Sequence, residues 1–148
     1  MTITTEMVKA NPELATIENY KKANKTLDWY IRLAMIEANP ELATQENFDN
    51  EKVWRVRLEM VKANHKLATH ENFNDETDGF VRAEMLIINP DLATQENYDK
   101  ANKTLDWYIR SNIVEVNPKL ATQENFDNEE KAFVRNAMKK INPNLKDN

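Results

Sequence analysis

The chain repeats itself. The segments Asn11-Pro-Glu-Leu-Ala-Thr, Asn39-Pro-Glu-Leu-Ala-Thr, Asn64-His-Lys-Leu-Ala-Thr, Asn89-Pro-Asp-Leu-Ala-Thr and Asn117-Pro-Lys-Leu-Ala-Thr are followed by a truncated Asn142-Pro-Asn-Leu, at spacings of 28, 25, 25, 28 and 25 residues. A period of roughly 20–50 residues marks an array whose units cannot each bury their own apolar face and stack to share one core. Five units exceed the minimum of about three that such an array needs.

Other positions keep the same register. Two residues after each Thr stands Glu-Asn-aromatic: Glu18-Asn19-Tyr20, Glu46-Asn47-Phe48, Glu71-Asn72-Phe73, Glu96-Asn97-Tyr98 and Glu124-Asn125-Phe126. Seven residues before each later anchor Asn stands an arginine, namely Arg32, Arg57, Arg82, Arg110 or Arg135, each preceded by Ile or Val and followed three residues on by Met35, Met60, Met85, Ile113 or Met138. Ile31, Met35 and Ala38 lie at i, i+4 and i+7, as do Val56, Met60 and Ala63, which predicts an amphipathic helix of about three turns before each anchor Asn. Asn-Pro ends that helix, because proline disfavours helical geometry in the residue before it and cannot donate the next backbone bond. The same Asn, followed by Pro at the first helical position, is expected to cap a second, shorter element through Leu-Ala-Thr to the aromatic.

Repeats 1 and 4 carry three extra residues, so a longer period of 78 is laid over the first. Residues 20–32 and 98–110 differ only at Lys21 against Asp99, the signature of a duplicated block. Composition agrees with a helical array. Gly79 is the only glycine in 148 residues, too few for a fold built on tight strand turns. Hydrophobic residues make up 41% of the chain, enough for a continuous core.

The alternation of a Val/Ile-Arg helix with an Asn-Pro corner resembles the leucine-rich variant repeats and, more distantly, HEAT-type solenoids. The residues that carry the likeness are Ile31-Arg32 with Asn39-Pro40, Val81-Arg82 with Asn89-Pro90, Ile109-Arg110 with Asn117-Pro118, Val134-Arg135 with Asn142-Pro143 and, with His for Pro, Val56-Arg57 with Asn64-His65. The resemblance implies one α-helix and one 3₁₀-like helix per repeat, wound into a superhelix. It does not bring the iron–sulfur module of part of that family, because the chain has no cysteine. The expected fold is all-α, a right-handed α-solenoid of five two-element repeats of 25 or 28 residues with terminal half-repeats. The expected organisation is one domain over 1–148: a capping helix over 1–10, repeats over 11–38, 39–63, 64–88, 89–116 and 117–141, and a cap over 142–148.

Candidate chemistry is sparse. The five arginines form a ladder able to hold carboxylates or phosphates, but the five repeated glutamates at 18, 46, 71, 96 and 124 are expected to pair with them as structural cement. His65 and His70 are the only histidines and occupy slots held elsewhere by Pro and by Gln or Ile, so drift within the repeat explains them better than catalysis or metal binding. The run from Asn74 to Gly79 resembles the start of a calcium loop, yet its twelfth position is Met85 where a bidentate acid is required. No phosphate loop, nucleophile elbow or zinc-helix motif occurs. No catalytic, cofactor or metal site is therefore expected.

The pairs Trp29-Tyr30 and Trp107-Tyr108 stand out, with Trp54-Arg55 in the equivalent slots of repeat 2. The first slot swings to Gly79 and Ala132 elsewhere, which a strict core position does not do, so one residue of each pair is expected at the surface. Trp29, Tyr30, Trp54, Arg55, Phe80, Trp107 and Tyr108 are the candidate partner-binding residues. A non-enzymatic scaffold that binds a protein partner or a second copy of itself is the expected function, with a bivalent form suggested by the duplicated block. The alternative is a nucleic-acid-directed protein, either a modular reader or an acidic mimic. A net charge of −5 disfavours the reader. No 18-residue apolar run and no signal-peptide pattern occur, so a cytoplasmic protein without a membrane segment is expected.

Overall fold

The computed structural model describes residues 2–26, 28–103 and 106–148. Its regular elements are all helical, with no strand among the described residues, and no helix there is long and apolar enough to cross a membrane. The chain packs as two compact units, Met1–Leu67 and Ala68–Asn148. The division falls inside the third repeat, between the Leu and the Ala of its Leu-Ala-Thr motif.

The first unit runs α1 (Thr5–Ala10), a 3₁₀ turn (Pro12–Leu14), α2 (Ile17–Ala23), α3 (Trp29–Ala38), a second 3₁₀ turn (Pro40–Leu42), α4 (Gln45–Asn50), α5 (Trp54–Ala63) and a third turn (His65–Leu67). The second unit holds α6 (His70–Asp75), α7 (Gly79–Ile88), a turn (Pro90–Leu92), α8 (Gln95–Lys103), α9 (Trp107–Val116), a turn (Pro118–Leu120), α10 (Gln123–Asn128) and α11 (Ala132–Ile141). Within the first unit α3 packs against both α1 and α5; within the second α9 packs against both α7 and α11. The residues on the predicted helix stripe meet there. Ile31, Met35, Val56 and Met60 are buried in one unit and Val81, Met85, Ile109, Ile113, Val134 and Met138 in the other. Burying each such side chain contributes about 1.5–3 kcal/mol. The stripe is wider than the sequence pattern implied, because Ile36, Val61, Leu86 and Val114, one residue after the Met slot, are buried as well.

The short element differs from the two-element expectation: it is two pieces, not one. Asn39 caps only the 3₁₀ turn, its Oδ1 accepting from the Glu41 amide at 3.2 Å. The chain then leaves helical geometry at Ala43 (φ −77°, ψ 62°) and Thr44 (φ −90°, ψ 160°). A fresh helix begins, capped by the Thr44 hydroxyl, which accepts from the Asn47 amide at 3.1 Å. Threonine favours this break because its hydroxyl offers the backbone an alternative partner to a continued ladder. Asn47 bridges the break by donating its Nδ2 to the Leu42 carbonyl at 2.8 Å. The second unit repeats the arrangement at Thr94, Asn97 and Leu92, and again at Thr122, Asn125 and Leu120. The three-residue insert of repeats 1 and 4 lengthens the short helix, to Ala23 and Lys103, against a six-residue α4, α6 and α10. Leu27, Thr104 and Leu105 of that insert lie outside the described residues.

The anchor Asn has a second role that joins neighbouring repeats. Asn39 Nδ2 donates to the Ala15 carbonyl at 2.8 Å and Asn64 to Ala43 at 2.7 Å. In the second unit Asn89 reaches Ala68, Asn117 reaches Ala93 and Asn142 reaches Ala121, at 2.8, 2.8 and 2.9 Å. The chain closes on that last bond and on Leu145, which is buried.

Asn117→Asp keeps the oxygen that caps the turn and removes the donor to Ala93. The expected cost is about 1–3 kcal/mol of unfolding free energy, the penalty of a carbonyl left without its partner. Asn11→Asp, at an anchor that makes no side-chain cap bond, is expected to cost less than about 0.5 kcal/mol. Urea midpoints at neutral pH measure both.

Candidate functional site

The arginine ladder pairs with acids, but not with the expected ones. Arg32 donates Nε and Nη2 to the two carboxylate oxygens of Glu51, at 2.7 and 2.9 Å, and Nη1 to the Ala23 carbonyl at 3.2 Å. The Tyr20 hydroxyl donates to the same carboxylate at 3.0 Å. In the second unit Arg110, Glu129 and Tyr98 form the same cluster, with bonds of 2.7, 2.8 and 2.8 Å. The repeated glutamates at 18, 46, 71, 96 and 124 are instead exposed, and Glu18, Glu46 and Glu96 pair with Lys22, Lys21 and Lys100. Helix geometry explains the exchange. With 3.6 residues per turn, the residue two before a buried aromatic points away from the core, and the residue three after it returns to the buried face.

The ladder is also of two kinds. Where the repeat aromatic is Tyr, the arginine is held by the bidentate pair. In two of the three Phe repeats the guanidinium lies over the ring, Arg82 at 4.5 Å from the Phe73 centroid and Arg135 at 3.8 Å from that of Phe126, and in the other Arg57 donates to the Glu51 carbonyl at 3.0 Å. Arg82 reaches Asp106 at 3.3 Å, and its Nε is buried without a hydrogen-bond partner. The Tyr repeats are the 28-residue ones and the Phe repeats the 25-residue ones, so the signal lay in the sequence as a correlation between aromatic type and repeat length.

Charge in these clusters is set by the pairing. Burial pushes the Glu129 carboxyl up, but hydrogen bonds from Arg110, the Lys131 amide and Tyr98 outweigh it and hold the group below its ordinary value. Burial opposes the charge on Arg32 and Arg110, and the bonds to Glu51 and Glu129 more than restore it. Burial also pushes the Tyr20 and Tyr98 hydroxyls up, so both stay protonated donors. The clusters are sealed: Arg32, Glu51, Arg110 and Glu129 are all buried. They position backbone and do not present a reactive group to solvent.

The candidate partner-binding residues lie elsewhere, in the first turn of the long helices. Tyr30 and Phe80 are 58% and 57% exposed, and Trp107 is 41% exposed. Trp29, Trp54 and Tyr108 are half-buried and Arg55 is exposed. In the first unit the Trp29 and Tyr30 rings stack at 3.8 Å, and the Arg55 guanidinium sits 4.4 Å from the Trp54 ring centre and 5.6 Å from that of Trp29. In the second unit Phe80 meets Tyr108 at 5.7 Å, Tyr108 meets Trp107 at 6.1 Å and Trp107 meets Phe133 at 4.9 Å. Those four rings form a row across three successive repeats. Phe133, 58% exposed, escaped the sequence reading although it holds the same slot as Tyr30 and Phe80. Both slots immediately precede the inward Ile or Val, and a step of one or two residues turns a side chain about 100° or 200° off the core direction. Gly79 lies beside the row, where an added Cβ would make an ordinary contact at 3.4 Å with the Tyr108 ring.

The remaining sequence candidates do not converge. His65 and His70 are exposed, and among the described residues no group of three or more His, Cys, Asp or Glu could hold a metal ion. The calcium-like run is divided between structural tasks: Glu76 is buried and Asp78 caps α7 by accepting from the Phe80 and Val81 amides. No protein-family model, curated protein or solved structure matches this chain.

Glu129→Ala leaves Arg110 buried without its counter-charge and is expected to cost about 3–5 kcal/mol. Glu124→Ala, on the exposed repeat glutamate, is expected to stay within about 0.5 kcal/mol. A carboxyl depressed in the folded state contributes stability above its unfolded value that disappears as pH falls through the folded one. The stability difference between the wild type and Glu129→Gln is therefore expected to shrink as pH drops below about 4.5, in denaturant titrations run at successive pH values.

Proposed function

We propose that this chain is a non-enzymatic protein-binding module of the cytoplasm, its repeats stacked as a right-handed α-solenoid of the leucine-rich variant type. The observation that carries the reading is the row Phe80, Tyr108, Trp107 and Phe133, four rings each in contact with the next, of which three are well exposed. Exposed aromatic rings in contiguous rows are what a partner surface offers, because they bury large apolar area at little cost in side-chain freedom. The arginines that would have turned the ladder into a phosphate grip are engaged inside each unit, which supports a protein partner over a nucleic acid. The two Trp-Tyr pairs of the duplicated block are packed differently, stacked in one unit and edge-on in the other. That difference favours two distinct contacts over two copies of one target.

Trp107→Ser combined with Phe133→Ser removes the centre of the row. Affinity capture from the native host with wild type and variant side by side is expected to lose at least one partner held by the wild type, while far-UV dichroism is unchanged. Retention of every captured partner by a folded variant overturns the assignment.

A further inference from the structure

We infer that a groove in the first unit, ringed by Lys21, Lys25 and Lys52, docks an acidic peptide segment of a partner protein, and that its duplicated counterpart in the second unit has lost this capacity by reversal of charge. The inference deepens the protein-binding reading by naming the chemistry of one partner segment.

The groove encloses about 660 Å³ between the short helices α2 and α4 and the corners that follow them, and Asn24, Asn47 and Asn50 line it beside the lysines. Lys21 is engaged with Glu46 at 3.0 Å, but both side chains are more than half exposed, so water screens that pair. Lys25 and Lys52 are exposed and have no acidic partner among the described residues. In a chain whose net charge is −5, three lysines around one concavity against a single glutamate are a local reversal of sign.

The groove's other donors point to the kind of anion. Arg32 is bound to Glu51 and backbone carbonyls, Asn47 donates to Leu42, Asn50 to Glu46 and Asn24 to the Asn50 carbonyl. The donors left are ammonium groups on flexible stems, which act as mobile point charges without a fixed fork. Tight recognition of a phosphate wants several donors converging in fixed geometry. Mobile charges spread around an open groove suit carboxylates strung along a flexible chain.

The second unit supplies an internal comparison. The register that makes 20–32 and 98–110 identical but for one position puts Asp99 in place of Lys21, and carried forward it puts Glu130 in place of Lys52. A groove of about 500 Å³ opens there as well, lined by Asp99, Glu124, Asn125 and Asn128, the counterparts of Lys21, Glu46, Asn47 and Asn50. Lys131 stands in the register of Val53, so over the positions of Lys21, Glu46, Lys52 and Val53 the sequence passes from net basic to net acidic. The buried Tyr, Arg and Glu beneath both grooves are the same in kind. The frame was kept through the duplication and the rim was changed.

The test uses the full chain and a fluorescein-labelled hexaglutamate peptide at low ionic strength, read by anisotropy and by titration stoichiometry. Wild type is expected to bind one peptide, more weakly as salt rises. Writing the second unit's charges into the first, Lys21→Asp with Lys52→Glu, is expected to weaken binding by at least about tenfold. The reciprocal change, Asp99→Lys with Glu130→Lys, is expected to raise the stoichiometry to two, which keeps the inference testable should the first variant fail to fold. Trp107→Ser with Phe133→Ser is expected to leave peptide binding unchanged. Absence of peptide binding, indifference to both charge exchanges, or preferential binding of a single-stranded oligonucleotide of equal charge overturns the groove assignment. Partner capture that still depends on Trp107 and Phe133 in that event leaves the broader binding reading standing.

Discussion

Each corner from Asn39 onward hinges on one asparagine. Its backbone amide closes the preceding long helix, its side-chain oxygen caps the following 3₁₀ turn, and its side-chain nitrogen bonds to the Ala carbonyl of the repeat before, as Asn117 does with Ile113, Lys119 and Ala93. No other side chain provides an acceptor and a donor at that reach in one planar group: Asp lacks the donor, and Ser lacks the length. Because the same residue sets both the end of one helix and the position of its neighbour, local and tertiary order are coupled at every corner. The rest of the packing, including the Val, Ile and Met stripe, follows from helices already placed at that spacing.

The buried arginine clusters show how the array tolerates two repeat lengths. An insert of three residues in repeats 1 and 4 comes with Tyr in place of Phe, and the tyrosine hydroxyl, the guanidinium and a glutamate from the next repeat then satisfy one another. Taking an ion pair out of water costs energy that only bidentate geometry and further hydrogen bonds recover. Glu51 and Glu129 have both, from Arg and Tyr side chains and from the backbone amides of Val53 and Lys131. A pair so demanding of geometry contributes more to fixing the placement of one repeat on the next than to net stability. Two of the Phe repeats use the weaker contact of a guanidinium over a ring, at Arg82 and Arg135.

The duplicated block separates what the frame needs from what it displays. Tyr20, Arg32 and Glu51 reappear as Tyr98, Arg110 and Glu129, and Asn39 and Asn64 bond to the preceding Ala carbonyls as Asn117 and Asn142 do. Some of the residues that changed face solvent, Lys21 against Asp99, Lys52 against Glu130 and Arg55 against Phe133, and others lie in the core, Met35 against Ile113 and Ile36 against Val114. Aromatic rings at the starts of the long helices and charges at the corners beside them are among the positions that vary.

The helical class, the corners, the long helices and the buried Val, Ile and Met positions were legible in the sequence, because each depends on periodicity and on the backbone chemistry of proline, asparagine and threonine over a few residues. Exposure of one member of each aromatic pair followed from the same reasoning, since a slot that accepts both Trp and Gly is not held on all sides. The acid that meets each buried arginine was only partly legible: helix periodicity turns Glu46 outward and Glu51 inward, and only the packing of one repeat on the next brings Glu51 to 2.7 Å from Arg32. The break at Leu-Ala-Thr and the row that adds Phe133 to Phe80, Tyr108 and Trp107 depend likewise on how elements from different repeats are set against one another. Sequence determined which surfaces each helix has to bury, as an intrinsic property of 3.6-residue periodicity. Tertiary structure alone decided which groups meet across those surfaces, because pairing depends on distances of a few ångströms between repeats that no local pattern encodes.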